Sequence, residues 1–402
     1  MATVTTAPIT HATLERVLQP FGRSHTLPPE AYVSAAVFEW EKRHFFEGSW
    51  VCVGRADDLG AAGDRRAVRI GSESVLLVRD ERGVLRAFFN VCRHRGHELA
   101  SVGECANARA IKCPYHAWVY GLDGRLRGAP HFSGRPSFDR SDYSLIAVAL
   151  AEWHGWVFVN AASDAPGFDD HIGGLDELIA AHEPERLRSA ASHEYLIEAN
   201  WKIITENYHE CYHCTQIHPA LCRVSPPDSG YNLEPDGAWS GGPMDLLEHA
   251  ETMSLTGASN GVVLRGLDPR RRREIMYVGL FPNLLISLHP DYVMTHRIEP
   301  LAPGRSRIHC EWLFPPEAFA REGFDPAYAT DFWDITNRED WRACEAVQRG
   351  AASRGFRQGP LAPVEDAVYW FETMVARGYL GQPLRPAARA PSEVSAEDEQ
   401  AG

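Results

Sequence analysis

Four residues of metal-binding types stand in two short pairs in the N-terminal third of the chain. Cys92 and His94 form a Cys-x-His pair, Cys113 and His116 form a Cys-x-x-His pair, and 18 residues separate the pairs. Thiolate sulfur and imidazole nitrogen together can hold zinc or an iron–sulfur cluster. Each pair supplies one Cys and one His, whereas zinc fingers usually group Cys with Cys and His with His. The interleaved order therefore favours an iron–sulfur cluster.

A [2Fe–2S] cluster held by two Cys and two His, a Rieske centre, needs this order, because each loop gives its Cys to one iron and its His to the other. The sequence Cys-Pro-Tyr-His-Ala-Trp at 113–118, with Gly121 after it, resembles the second cluster loop of the Rieske non-haem iron oxygenases, in their large (alpha) subunit. The resemblance extends from about residue 26 to about residue 380. It implies a [2Fe–2S] cluster on Cys92, His94, Cys113 and His116.

A second group of polar residues lies in the stretch 200–219. His213 and His218 are five residues apart there, and on an ideal helix this spacing turns two side chains about 140° away from each other. Both rings reach one metal only if the helix is distorted or ends between them. Pro219 is consistent with a helix end at His218.

Two carboxylates precede these His residues. Glu206, Glu210 and His213 have the spacing i, i+4, i+7, which predicts that they share one helix face. A carboxylate three residues before a His ligand can hold the free N–H of its ring. The family carries an acidic residue at this position, usually Asp, that links the iron-binding His of one subunit to a cluster His of the next. The resemblance therefore implies that Glu210 joins His213 to His116 of the neighbouring subunit, with Glu in place of Asp.

Two His and one carboxylate form the ligand set of non-haem iron(II) oxygenases, which leaves positions open for O2. The family supplies the carboxylate as an Asp on a C-terminal helix. A segment of this chain resembles that helix and indicates Asp340, with Glu339 and Glu345 as alternatives. The resemblance thus implies a mononuclear Fe(II) on His213, His218 and Asp340.

A zinc site is the alternative for the stretch 200–219, because Cys211 and Cys214 form a Cys-x-x-Cys pair with His residues around it. If iron is bound instead, the two Cys are expected to be free thiols, and His209 is expected to lie on the surface or to pack in the interior. The chain has nine Cys, an odd number. With no N-terminal pattern of a signal peptide, these thiols predict a reducing cytoplasm rather than a disulfide framework.

Composition limits the classes of function. The chain has 402 residues and a formal net charge of −14, which argues against nucleic-acid binding. No run of about 18 apolar residues occurs, so no membrane span is predicted.

The elements that must position the two sites predict an α+β fold. Short strands with turn residues between them predict a small all-β Rieske domain over 48–160, inserted near the N-terminus of a larger catalytic domain at 161–380 that has an antiparallel sheet and surrounding helices. Residues 1–47 are expected to pack on the catalytic domain, and 381–402 to be disordered. Helices are predicted at 168–186, 200–218, 331–349 and 363–377, and strands at 261–264, 274–280, 284–289, 293–300 and 305–314.

The resemblance implies a terminal oxygenase that hydroxylates a C–H bond of a small substrate with O2. No Gly-rich flavin or nicotinamide motif is visible, so electrons are expected from NAD(P)H through a separate flavin/iron–sulfur reductase. Electron transfer between subunits predicts a homotrimer. The alternative of another class is a Rieske electron carrier without oxygenase activity.

The segment 206–214 resembles the glycine betaine, carnitine and stachydrine branch of the family. This favours oxidative N-demethylation of a quaternary ammonium compound, with hydroxylation or dihydroxylation of an aromatic substrate as the alternative. A quaternary ammonium needs an aromatic cage. Candidates for the cage are Tyr231, Trp239, Tyr277, Phe281 and Tyr292, and His289 and His296 are candidate pocket residues.

Overall fold

The described part of the chain, residues 6–162 and 164–386 of a computed structural model, begins with three short helices. They are α1 (His11–Val17), α2 (Glu30–Val33) and α3 (Ala35–Glu41), and α3 continues into a π-helical turn at Lys42–Phe46. Glu41 is fully buried and accepts hydrogen bonds from Lys202 Nζ at 2.6 Å and from Trp201 Nε1 at 2.9 Å. Because an unpaired buried charge is strongly unfavourable, this ion pair fixes the N-terminal segment on the helix that begins at Trp201.

Ten strands follow and form three small antiparallel sheets. They are β1 (Val51–Arg55), β2 (Asp64–Ile70), β3 (Glu73–Arg79), β4 (Leu85–Phe89), β5 (Cys105–Asn107), β6 (Ile111–Lys112), β7 (Val119–Tyr120), β8 (Leu126–Gly128), β9 (Ala149–Trp153) and β10 (Trp156–Asn160). The strand orders are β1-β10-β9, β4-β3-β2-β5 and β6-β7-β8. The first cluster motif lies in the loop after β4 and the second in the loop between β6 and β7.

A six-stranded antiparallel sheet forms the centre of the second half of the chain. Its strands are β11 (Arg188–Ile197), β12 (Trp239–Asp245), β13 (Glu274–Leu280), β14 (Leu284–Leu288), β15 (Val293–Ala302) and β16 (Arg305–Phe314), in the order β11-β16-β15-β14-β13-β12. Successive side chains of a strand point to opposite faces. On β15, His296 therefore faces a helix, where it contacts Asn337. Arg297 faces the other way, toward the domain formed by β1–β10, which carries both cluster motifs and is called the cluster domain below.

Helices cover the face of this sheet to which His296 points. The helices of this half are α4 (Phe168–Ile172), α5 (Leu175–Ile179), α6 (Trp201–Tyr208), α7 (Cys214–Ile217), α8 (Pro316–Phe319), α9 (Ala327–Ala351) and α10 (Asp366–Tyr379). The long helix α9 packs against α6 and β11. An all-β cluster domain that precedes an antiparallel sheet with helices confirms the predicted α+β class.

Three predicted elements are wrong. The predicted helix at 168–186 is broken into α4 and α5 at Gly173, which has a φ of 54°, a conformation that favours glycine. The stretch 200–218 is not one helix, because α6 ends at Tyr208 and α7 begins only at Cys214. The predicted strand at 261–264 is a loop with no ladder partner among the described residues.

Within residues 6–162 and 164–386, no helix combines the length and the apolar character that a membrane crossing requires. The prediction of a disordered tail at 381–402 lies, from residue 387 onward, outside the described residues.

Candidate metal centres

The two cluster loops bring the four predicted ligands of the [2Fe–2S] cluster to one place. The ring centroids of His94 and His116 lie 4.7 Å apart, and the thiols of Cys92 and Cys113 are in contact. Both Cys are buried and both rings are partly exposed. The Nδ1 atom of His94 is buried and has no hydrogen-bond partner among the described residues. Two buried sulfurs, two outer rings and an unpaired ring nitrogen fit a [2Fe–2S] cluster.

Local hydrogen bonds shape these loops. The backbone N–H of Cys92 donates to His97 O and that of Cys113 to Trp118 O, both at 2.8 Å. The indole of Trp118 stacks on the His94 ring, with centroids 4.9 Å apart and planes 10° apart. The ring orientation is therefore set by packing within the domain.

The hydroxyl of Tyr120 lies 3.2 Å from Cys92 Sγ and accepts a hydrogen bond of 3.0 Å from the Arg93 N–H. Its own hydrogen is thus free to point to the sulfur. A donor to a ligand sulfur stabilises the more negative, reduced cluster and raises its potential. We expect Tyr120→Phe to lower the midpoint potential, on the order of 50 mV, in protein-film voltammetry, and the exposed Tyr115→Phe to leave it unchanged. An unchanged potential in Tyr120→Phe would remove this role from the hydroxyl.

The second site joins two loop His residues to helix α9. His218 Nε2 lies 2.8 Å and His213 Nε2 lies 3.4 Å from the same Asp340 oxygen, Oδ1, and the ring centroids are 5.1 Å apart. The rings converge because α7 is a single turn between them that ends at His218, whose φ of −116° and ψ of 67° are not helical. This confirms the helix end that Pro219 predicted. Asp340 comes from 122 residues further along the chain than His218.

Each of the two rings has a carboxylate on its other nitrogen. Glu210 Oε1 lies 2.5 Å from His213 Nδ1, and Glu339 Oε2 lies 2.9 Å from His218 Nδ1. Such contacts fix the tautomer and orientation of a ligating His. The contact of Glu210 with His213 was predicted, whereas Glu339 was expected only as an alternative to Asp340. Because Glu339 directly precedes Asp340 in the sequence, its contact with the ring that meets Asp340 could have been predicted.

The pKa values of the three converging groups depend on one another. Burial lowers the pKa of His213, but hydrogen bonds to Asp340 and Glu210 outweigh it and raise that pKa to about 9. Burial raises the pKa of Asp340, and its hydrogen bonds to both rings outweigh burial, so that this pKa is lowered. Two imidazoles and one charged carboxylate at a single point fit Fe(II) with open positions, and metal binding would release the ring protons.

The expectation that Glu206 shares a helix face with Glu210 and His213 is wrong, because α6 ends between them. Glu206 instead points into the interior, where Tyr32 Oη donates to it at 2.9 Å. Burial raises the pKa of Glu206 to about 8. His209 is buried, and its Nε2 lies 3.1 Å from Ser240 Oγ, so of its two expected positions, surface or interior, it takes the interior one.

Cys211 and Cys214 are joined by a disulfide, and the expectation that both are free thiols is wrong. The turn between α6 and α7 brings their Cα atoms to 4.9 Å, within the range of a disulfide. Cys214, His213 and His218 lie close enough to share a metal. However, a metal takes the thiolate form of Cys, and a disulfide removes that form, which leaves the zinc alternative without its sulfur ligands.

A cavity of 360 Å³ lies beside these residues. Aromatic rings form much of its wall: Tyr208, Tyr277, Trp333 and Trp341. Of the predicted pocket residues, Tyr277 and His296 line the cavity. The others, namely Tyr231, Trp239, Phe281, Tyr292 and His289, do not appear in its wall.

The two Trp residues of the cavity wall, Trp333 and Trp341, were not predicted. Trp333, Asn337 and Asp340 are separated by four and three residues on α9, and Trp341 follows directly. Residues with this spacing share one side of a helix. Once Asp340 is assigned to the site, the same spacing predicts Trp333 and Asn337 beside it.

The fold and the two sites together define a Rieske-type non-haem iron oxygenase. Residues 49–139 match the family model of the Rieske [2Fe-2S] domain, and residues 184–381 match that of the ring hydroxylating alpha subunit, catalytic domain. This chain belongs to the ring-hydroxylating oxygenase alpha subunits, and it is the oxygenase subunit of a Rieske non-haem iron monooxygenase. A cluster, a mononuclear iron, a reductase partner and a small substrate follow from this membership. A Rieske electron carrier alone is excluded by the catalytic domain.

Three similar proteins are named for quaternary ammonium compounds. The glycine betaine monooxygenase oxygenase subunit of Chromohalobacter salexigens is 30% identical, over 91% of this chain and 89% of its own. The carnitine monooxygenase oxygenase subunit of Escherichia coli K12 is 42% identical, over 83% and 86%. The crystal structure of the quaternary ammonium Rieske monooxygenase CntA with L-carnitine superposes with a TM-score of 0.74, at 27% identity, over 92% of this chain and 99% of that one.

Proposed function

We propose that this chain removes an N-methyl group from a quaternary ammonium compound by hydroxylating a C–H bond of that group. The observation that carries the proposal is the aromatic wall of the cavity beside His213, His218 and Asp340. Cations are attracted to the faces of aromatic rings. Among the described residues that line this cavity there is no Lys or Arg, either of which would repel the cation. The relatives that act on glycine betaine and carnitine support the same class.

In this proposal His213, His218 and Asp340 hold the iron, and Cys92, His94, Cys113 and His116 hold the cluster. When bound there, the iron supplies the activation of O2. Glu210 and Glu339 keep a proton on Nδ1 of the two rings, so that both Nε2 atoms are free for the metal. The aromatic wall holds the N-methyl group beside this point and excludes water. Hydroxylation of the methyl group gives a hemiaminal, which separates into formaldehyde and the demethylated amine.

The electrons are proposed to cross between subunits of a homotrimer. Tyr115, next to His116, is 52% exposed, and Tyr212, between Glu210 and His213, is 66% exposed. Large exposed rings at both metal centres mark surfaces that suit contact with another protein. A head-to-tail ring would place the cluster loop of one subunit against Glu210 of the next. Glu210 would then connect His213 with the neighbouring cluster.

A separate reductase with a flavin and an iron–sulfur centre is proposed to pass electrons from NAD(P)H to the cluster. The test is turnover of the complete system with glycine betaine, carnitine, choline and an aromatic acid, measured as formaldehyde release and O2 uptake. We expect formaldehyde in proportion to O2 with at least one quaternary ammonium compound. A hydroxylated ring without formaldehyde would replace this proposal by the aromatic alternative.

Tyr277 offers a direct test of the aromatic wall. Its ring lines the cavity, whereas its hydroxyl is buried and has no hydrogen-bond partner among the described residues. Loss of one cation–π contact in a dry site corresponds to about 1–2 kcal/mol, or roughly 5- to 30-fold. We therefore expect Tyr277→Leu to raise the KM for the quaternary ammonium substrate by roughly that factor, and Tyr277→Phe to leave it near the wild-type value.

The neutral carbon isostere of the substrate, with C(CH3)3 in place of N(CH3)3, separates charge from shape. We expect Tyr277→Leu to change the dissociation constant of this isostere much less than that of the cation. An equal loss for both ligands would mean that the ring acts by packing alone.

A further inference from the structure

A polar cavity lies between the cluster domain and the six-stranded sheet, on the face of the sheet opposite to His296 and the iron-binding residues. It has a volume of 410 Å³ and adjoins a second space of 320 Å³. Both are lined by Cys52 and Arg66 from the cluster domain and by Arg297 and His309 from the sheet. Because the sheet separates this cavity from the aromatic one, it is no part of the proposed substrate site.

Arg297 is the unusual residue in this cavity. It is partly buried, yet among the described residues no carboxylate lies within 4.0 Å of its guanidinium and no carbonyl accepts a hydrogen bond from it. The arginines of the next strand are paired: Arg305 lies 3.1 Å from Glu198, and Arg307 lies 2.9 Å from Glu299. A partly buried guanidinium without a protein partner keeps its donors available, and an anion in the cavity can accept hydrogen bonds from them.

A second donor, His309, lies next to Arg297 on the neighbouring strand. His309 is paired with Arg297 in the register of β15 and β16, and its ring nitrogens have no hydrogen-bond partner among the described residues. Burial, together with the positive charges of Arg297 and Arg66, lowers the pKa of His309. The neutral ring still carries one N–H. Arg297 and His309 thus present unpaired donors side by side on one wall.

The acidic groups of the wall form no ion pair with Arg297 among the described residues. Asp58 is engaged with Arg66 at 3.1 Å. Burial raises the pKa of Glu311, and this carboxyl forms no ion pair with Arg297. Burial likewise raises the pKa of the Cys52 thiol to about 11, so it carries no charge near pH 7.

We propose that this cavity binds a small oxyanion, a phosphate or a carboxylate, between Arg297 and His309 of the sheet and Arg66 of the cluster domain. A guanidinium binds the paired oxygens of either group with two parallel hydrogen bonds. Since the donors come from both domains, the bound anion connects them. A side-chain contact already links the two domains nearby, because Asn283 Nδ2, in the turn before β14, donates to Cys52 O at 3.0 Å and the Cys52 N–H donates to Asn283 Oδ1 at 2.9 Å.

The test is calorimetric titration of the holoenzyme with inorganic phosphate and, separately, with malonate, at constant ionic strength in chloride. We expect one binding site per chain for at least one of the two anions. The anion that binds more tightly shows whether the natural ligand carries a phosphate or a carboxylate. Arg297→Gln is expected to weaken that binding at least about tenfold. Arg307→Gln, which removes a paired arginine of the same sheet face, is the control and is expected to bind like the wild type.

Thermal unfolding is a second measurement, in which the order of stability of wild type and Arg297→Gln is expected to reverse when the anion is added. Without the anion, Arg297→Gln is expected to be as stable as the wild type or more stable, because it removes a partly buried cation that has no partner. At about a hundredfold excess of anion over its dissociation constant, the wild type is expected to gain about 3 °C in Tm, and the variant much less. Absence of binding by both anions, or an equal gain in Tm in wild type and variant, as general salting-out would produce, overturns the proposal.

Discussion

Replacing Asp340 by Asn is expected to reduce turnover by about three orders of magnitude. The carboxylate oxygen Oδ1 is the point at which both His213 and His218 converge, at 3.4 Å and 2.8 Å. Asparagine keeps the shape but removes the negative charge, so the site loses the one anionic group that balances the iron. Formaldehyde release with excess reductase measures the effect, and the iron content of each preparation is determined alongside it.

The control for Asp340→Asn is the neighbouring substitution Glu339→Gln. Glu339 contacts the far nitrogen of His218 at 2.9 Å and is proposed to orient that ring without touching the metal. Its loss is expected to weaken iron binding by about 10- to 100-fold and to be relieved by excess Fe(II), whereas Asp340→Asn is not. If Asp340→Asn kept more than a tenth of the activity, the carboxylate ligand would have to be sought elsewhere.

Replacing Glu210 by Gln is the second change with a large expected effect. Glu210 contacts His213 through Oε1, and its Oε2 accepts hydrogen bonds from the backbone N–H groups of Tyr212 and His213. The side chain is therefore fixed at the edge of the iron site. We expect Glu210→Gln to slow reoxidation of the pre-reduced cluster by substrate and O2 about a hundredfold in stopped-flow spectroscopy, while reduction of the cluster by the reductase stays unchanged.

Glu210→Asp is the matched control, because it restores the acidic residue that is usual in the family, and it is expected to keep most of the activity.

Electron transfer between subunits has its own test. Chains with Cys92→Ser lack a cluster ligand, and chains with Asp340→Ala lack an iron ligand. Mixed oligomers of the two are expected to recover activity, since an intact cluster in one chain can serve an intact iron site in the next. No recovery would place electron transfer within one chain.

The candidate cluster ligands could be predicted because each Cys–His pair lies within a few residues of sequence. Cys92 and His94, and Cys113 and His116, are held in short loops, so their spacing alone indicates which side chains meet. The strands at 274–280 and 305–314 were also predicted correctly, since alternation and β-branched residues specify them over a few residues.

The second site depended on features that spacing cannot give. The spacing of His213 and His218 required a helix end, which lies at His218, but it did not show that α6 also ends, at Tyr208. The end of α6 decides that Glu206 points away from His213 and His218. Asp340 meets the two rings only through the packing of α9 on α6, which is long-range information. The disulfide of Cys211 and Cys214 follows from the same turn.

Whether the chain holds both a cluster and a separate iron is decided by its content of iron and acid-labile sulfide, measured in the wild type and in His213→Ala. We expect about three irons and two sulfides per chain in the wild type, and about two irons with unchanged sulfide in the variant. About two irons in both proteins would contradict this expectation, because the residues around Asp340 would then hold no metal in the protein as isolated.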